Sequence, residues 1–122
     1  MRLFRVIVPV SDIDAAARFY ENLLGLNGKR VSSGRHYLDC EGTILALFSP
    51  RDDTDPWDAQ PNPEPIYFAV DDLESVQQRA IGLDAQIDDP IAVQPWGERS
   101  FYLRDPYGNR LCMVDRSTLF TG

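Results

Sequence analysis

The strongest constraint on this 122-residue chain is that it carries one pattern twice. RVIVPVSDIDAAARFYENLLGL, from Arg5, and PIYFAVDDLESVQQRAIGL, from Pro65, match with Val10-Ser11-Asp12-Ile13-Asp14 over Val70-Asp71-Asp72-Leu73-Glu74, an offset of 60 residues. Self-similarity on this scale makes each copy one supersecondary unit, and it limits the fold more than any local propensity does. Each copy opens on a β-branched and aromatic run, the composition of a strand. An Asp or Ser then stands where a helix N-cap belongs, with acidic residues in the first turn. In the first copy Ile13, Ala16, Ala17, Tyr20 and Leu24 recur at helical spacing and Gly25 closes the helix. In the second, Leu73, Val76, Ala80 and Ile81 do so, and Gly82 closes it.

Short strands follow each helix. The first half offers 29–33, 35–40 and 43–49, broken at Ser33-Gly34 and Glu41-Gly42. The second offers 85–88, 99–104 and 109–115, the last two joined by Asp105-Pro106-Tyr107-Gly108, a turn with Pro after Asp and Gly at its close. The expected fold is therefore α+β, with the order β-α-β-β-β occurring twice. Module 1–49 and module 64–116 are joined by a Pro- and Asp-rich linker, 50–63, and make one domain over 1–122. Asp52, Asp53 and Asp55 in that linker read as a solvated run.

Charge and composition narrow the partners. The net charge of −7 repels phosphate backbones and anionic membrane surfaces, so nucleic acid and membrane are poor partners and a cationic or neutral small molecule is a better one. The uncharged apolar runs VIVPV and TILALF fall far short of the ~20 residues of a membrane span. The start, MRLFRVIVPVSD, lacks a small-residue cleavage pattern, and a cytoplasmic location is expected. Cys40 and Cys112 sit in no CxxC or Cys/His cluster and read as reduced, buried thiols.

VSDIDAAARFYENLLGL and QPWGERSFYLRDPYGNRL, in order and on a doubled βαβββ repeat, resemble the vicinal-oxygen-chelate superfamily of glyoxalase I, extradiol dioxygenases and bleomycin-resistance proteins. The Trp96-Gly97 pair and the Asp105-to-Asn109 turn lie nearest its bleomycin-resistance branch. The resemblance implies two tandem βαβββ modules forming a cupped mixed sheet with helices outside, and enzymes of this kind hold one divalent metal with His or Gln on the first strand of each module and Glu on the last. In this chain those four places carry Arg5, Pro65, Cys112 and, by aligning Gly42 with Gly108, Ala46, with Leu45 beside it. A catalytic metal needs about three side-chain donors and an open position. Arg, Pro and Ala supply none. The expectation is no metal and no cofactor.

What remains is a cup without a metal, for which the bleomycin-resistance proteins are the family's precedent: they sequester a drug. Strand alternation puts Arg5, Ile7 and Pro9 on the cup side and Val6, Val8 and Val10 toward the helix. Arg5 is positioned there to anchor a carboxylate, to stack on a planar ring, or to pair with a neighbouring acid. Phe48 and Tyr67 share the cup parity; Trp96, Tyr102 and Trp57 lie near it by topology, their facing unset by pattern. The candidate ligand-binding set is Arg5, Phe48, Tyr67, Trp96, Tyr102 and Cys112, with no catalytic residue. His36, the single histidine, has no neighbour that would make it a base and reads as surface or structural. The expected function is sequestration of an amphipathic, partly planar ligand by a homodimer. The alternative is an enzyme of the lyase, isomerase or dioxygenase type, using side chains or a degenerate metal site.

Overall fold

Each copy of the repeat forms a four-stranded mixed sheet with one helix packed on one side. The computed structural model describes residues 1–122, which divide into two compact units, Met1–Asn62 and Pro63–Gly122. The first holds β1 (Arg5–Pro9), α1 (Ile13–Leu24), β2 (Lys29–Ser32), β3 (Arg35–Cys40) and β4 (Thr43–Phe48). The second holds β5 (Ile66–Val70), α2 (Leu73–Gly82), β6 (Gln86–Val93), β7 (Arg99–Arg104), β8 (Arg110–Asp115) and a 3-10 turn at Arg116–Thr118. Strand orders are β1-β4-β3-β2 and β5-β8-β7-β6. The first strand of each unit runs parallel to the last and the other pairs are antiparallel. The α+β fold of two βαβββ modules is as expected, with a separate sheet in each unit. No helix is long and apolar enough to cross a membrane.

The helices start and pack as the repeat dictates. Asp12 accepts from the Ala15 amide and Asp72 from that of Ser75, each capping its helix. In the first unit Val8, Val10, Leu38, Leu45 and Leu47 are buried with Ile13, Ala16, Phe19, Tyr20 and Leu23 of α1. In the second, Phe101, Leu103, Leu111 and Met113 are buried with Leu73, Val76 and Ala80 of α2. Each Val, Leu, Ile, Phe or Met side chain among them contributes about 1.5–3 kcal/mol by leaving water.

Several expectations need correction. Ile81 is exposed and Leu24 only half-buried, while Phe19 and Leu23 take core places. Gly25 closes α1 in the left-handed region, but Gly82 is the last residue of α2 and the left-handed turn falls on Asp84. Strand β6 runs on through Pro90 to Val93 rather than stopping at Asp88. It is the edge strand, and its pairing shifts register between Asp89 and Ala92, so the missing proline N–H breaks no ladder. Cys40 is only half-buried. Two of the three linker acids, Asp52 and Asp53, have structural partners. Asp52 accepts from the Ile13 amide at the head of α1, and Asp53 accepts from Ser32, Ser33, the Gly34 amide and Arg35. His36 is structural: buried, its Nε2 lies 3.1 Å from Glu21 Oε2.

Helix α2 is also tied to its sheet by charge. Arg99 pairs with Glu74 of α2 and with Asp115 at the end of β8, the latter at 2.8 Å. Hydrogen bonds from the Ser117 hydroxyl and amide, then from Arg99, lower the Asp115 pKa from the ordinary 3.8 to about 2. In that window the unfolded chain binds the proton and the folded chain resists it. The contribution is therefore complete above about pH 4 and is lost as pH falls toward about 2. Urea-unfolding midpoints taken down this range are expected to fall less steeply in Asp115→Asn than in the unmodified chain. Equal slopes would remove Asp115 from the acid response.

Candidate ligand-binding faces

One side of each sheet is covered by its helix, and alternation sends every second residue to the other, open side. In the first unit the open side carries three cross-strand rows: Arg5–Ile44–Asp39, Ile7–Ala46–Tyr37 and Pro9–Phe48–Arg35. Arg5 and Ile7 are exposed there, as alternation requires, and Ile7 retains 52% of its surface. Ala46 is buried. The Arg5 guanidinium lies 4.8 Å from the Phe4 ring centre and 5.0 Å from that of Tyr37, so its partners are rings and not a carboxylate. Phe48 is covered in turn: Arg35, held by Asp53, lies 4.5 Å from its ring centre.

The open side of the second unit is more polar. Its middle row is Tyr67–Cys112–Tyr102–Asp89, flanked by Ala69–Val114–Ser100–Ala92 on one side and by Arg110–Arg104–Gln86 on the other. The Tyr67 and Tyr102 rings meet edge to face with centres 6.3 Å apart. A hydrogen bond with Tyr67, then burial, then a hydrogen bond with Cys112 push the Tyr102 phenol well above its ordinary range. Cys112 is 1% exposed, and burial pushes its thiol up although hydrogen bonds from Tyr102 and Ser100 pull the other way. Both groups hold their protons at neutral pH. Such a thiol is not a nucleophile.

Trp96 stands on the β6–β7 turn with half its surface exposed, its indole Nε1 donating to Glu98 Oε1 at 2.8 Å. Gln94 at the base of that turn donates to Ser100 Oγ, 3.2 Å away on the open side. Tyr67, Tyr102 and Cys112 are thus brought together in one row. Arg5 and Phe48 lie on the other unit's sheet, two rows apart. Sequence reasoning missed Tyr37, Arg35, Ser100, Gln94 and Arg110. The alternation within β3 was a usable signal for Tyr37 and Arg35, but the rest needed the strand order.

The divalent ion implied by the resemblance can be tested against the donors. The first unit offers Arg5, a cation, and Ala46, which has no donor atom; the second offers Pro65, equally without one, and the protonated Cys112. No group of three His, Cys, Asp or Glu side chains is placed to hold a metal. These residues do not fit a divalent ion.

The sequence matches the model of the Glyoxalase/Bleomycin resistance protein/Dioxygenase superfamily over residues 2–113. This chain belongs to that superfamily. Solved structures with the same fold include a glyoxalase-related enzyme from Fulvimarina pelagi, 18% identical with a TM-score of 0.79, covering 100% of this chain and 93% of that one. A glyoxalase/bleomycin resistance protein/dioxygenase family enzyme from Burkholderia phytofirmans is 17% identical with a TM-score of 0.78, covering 98% and 100%. Lactoylglutathione lyase from Agrobacterium tumefaciens is 22% identical with a TM-score of 0.73, covering 93% and 92%. At such identities the likeness establishes the fold and not the reaction. A search of curated proteins gave no match.

Proposed function

We propose that this superfamily member binds an amphipathic, partly planar small molecule on its open sheet faces and does not transform it. One observation carries the reading: where the superfamily's metal ligands would stand, the chain has no metal donor set, and the same faces present aromatic and guanidinium surface. Tyr67 keeps 59% of its surface, beside Tyr102. Arg5, backed by Phe4 and Tyr37, offers a flat cation for stacking. Ring-on-ring contacts contribute about 0.5–1.5 kcal/mol each beyond area burial. The second reading, catalysis by side chains, draws on the hydrogen-bonded Tyr67–Tyr102–Cys112 row and on the lyase among the structural relatives. Against it, a phenol and a thiol that both hold their protons are poor bases at neutral pH.

The test is a fluorescence titration, read through Trp57 and Trp96, with planar aromatic acids, planar cations and neutral controls. Saturable binding without turnover is expected. Arg5→Ala should weaken binding to the first unit's face by about threefold to tenfold whatever the ligand's charge, the loss of one stacking contact. Turnover of a bound compound would put the enzyme reading ahead. A homodimer is part of the proposal, the common symmetry being two-fold. A light-scattering mass near the 13.8 kDa of one chain would remove it.

A further inference from the structure

Arginines of the second unit find acids. Arg99 pairs with Glu74 and Asp115, Arg104 with Asp88, and Arg116 with Asp71. Arg110 is different. It takes part in none of these pairs, and its Nε is buried with no hydrogen-bond partner. A buried, unsatisfied N–H on a permanent cation is an exception that a folded chain rarely keeps. It is the more unusual in a chain with a net charge of −7, where carboxylates are abundant.

The register says what lies beside it. Arg110 opens β8 directly opposite Arg104 and two residues before Cys112, so alternation puts it on the open side with Tyr67, Cys112 and Tyr102. Two residues along a strand span about 7 Å, the reach from the centre of the tyrosine row to the arginine row. Arg104 already has Asp88, while Arg110, directly across the ladder from it, has no acid of its own. An added anion at the guanidinium would supply the acid that Arg110 lacks. A guanidinium takes a carboxylate through two parallel N–H donors.

We propose that Arg110 is the anion-holding residue of the second unit's open face, and that the ligand it selects is a planar aromatic acid. The ring of that acid lies along Tyr67 and Tyr102, and its carboxylate meets the guanidinium. This rests on the binding reading above and deepens it by naming the ligand class. The two arginines then differ in what they recognise, Arg5 stacking on a ring in the first unit and Arg110 reading charge in the second.

Calorimetric titration of the full chain with naphthoate, its neutral amide and inorganic phosphate tests the assignment. Naphthoate is expected to bind about tenfold or more tightly than the amide, and phosphate more weakly than either. In Arg110→Gln the preference for the acid should vanish while amide affinity stays within about twofold. Arg110→Lys, which keeps the charge without the fork, should retain part of the preference. Should Arg110→Gln fail to fold by circular dichroism, the acid-over-amide ratio of the unmodified chain and the Lys variant decide. Equal affinity for acid and amide, equal losses of both in Arg110→Gln, or phosphate binding as tight as naphthoate would overturn the Arg110 site and leave open-face binding standing. Acid-selective binding followed by conversion of the naphthoate would instead keep Arg110 and overturn sequestration. No binding of either aromatic would overturn both.

Discussion

Replacing Asp105 by alanine is expected to cost the second unit about 3–5 kcal/mol, a large share of the ~5–15 kcal/mol that holds a typical domain folded. The Asp105 side chain is the acceptor around which the β7–β8 turn is built, and the residue is only 5% exposed. One oxygen accepts from the Tyr107 and Asn109 amides and the other from Asn109 Nδ2, all at 2.8 Å. Asn109 is fully buried, so its amide and side chain cannot turn to water once the acceptor is gone. Each stranded donor costs about 1–3 kcal/mol. The same turn sets the register that puts Tyr102 opposite Cys112, so ligand binding should fail together with stability. Urea unfolding followed by far-ultraviolet circular dichroism reads the effect. A loss under about 1 kcal/mol would mean that the strands hold their register without the turn.

Gly34→Ala should cost the first unit about 3 kcal/mol by overpacking. A β-carbon at Gly34 would collide with the Ser49 carbonyl oxygen and lie 2.6 Å from the Asp53 amide nitrogen, both backbone atoms that no rotamer change can move. The Ser49 amide donates to the Gly34 carbonyl and the Gly34 amide to Asp53, so the approach is locked from both sides. Pushing this loop away also releases Arg35, which Asp53 holds over Phe48. The variant is therefore expected to unfold at lower urea and to expose the Phe48 ring. An unchanged midpoint would show that the 50–55 loop yields to the methyl group at no cost.

What could be read from the chain beforehand follows the range of the interactions. The repeat, the Asp12 and Asp72 caps and the Asp105-to-Asn109 turn depend on neighbours within about five residues, so sequence spacing carries them. Alternation likewise placed Arg5, Ile7, Phe48 and Tyr67 on the open sides. Side-chain partners did not follow, because they come from distant segments. Asp53 reaches Ser32 across 21 residues, and His36 reaches Glu21 across 15. Phe48 has the right parity for a ligand face, yet Arg35 occupies its ring because β3 and β4 place the two in one row. The Tyr67–Cys112–Tyr102 row required the order β5-β8-β7, which no local pattern encodes. The 85–88 strand reads too short from sequence for a simpler reason: the strand continues past Pro90 because a proline halts a central strand but not an edge one.

The central claim is that this member of the superfamily recognises its ligand with side chains alone. Its most direct test is a naphthoate titration of protein dialysed exhaustively against a strong chelator, repeated after adding one equivalent of zinc, nickel, manganese or ferrous iron. Arg5, Ala46, Pro65 and Cys112 offer a divalent ion no usable donor set, so the dissociation constant should be the same in every arm. Binding that disappears on chelation and returns with one equivalent of metal would contradict the account.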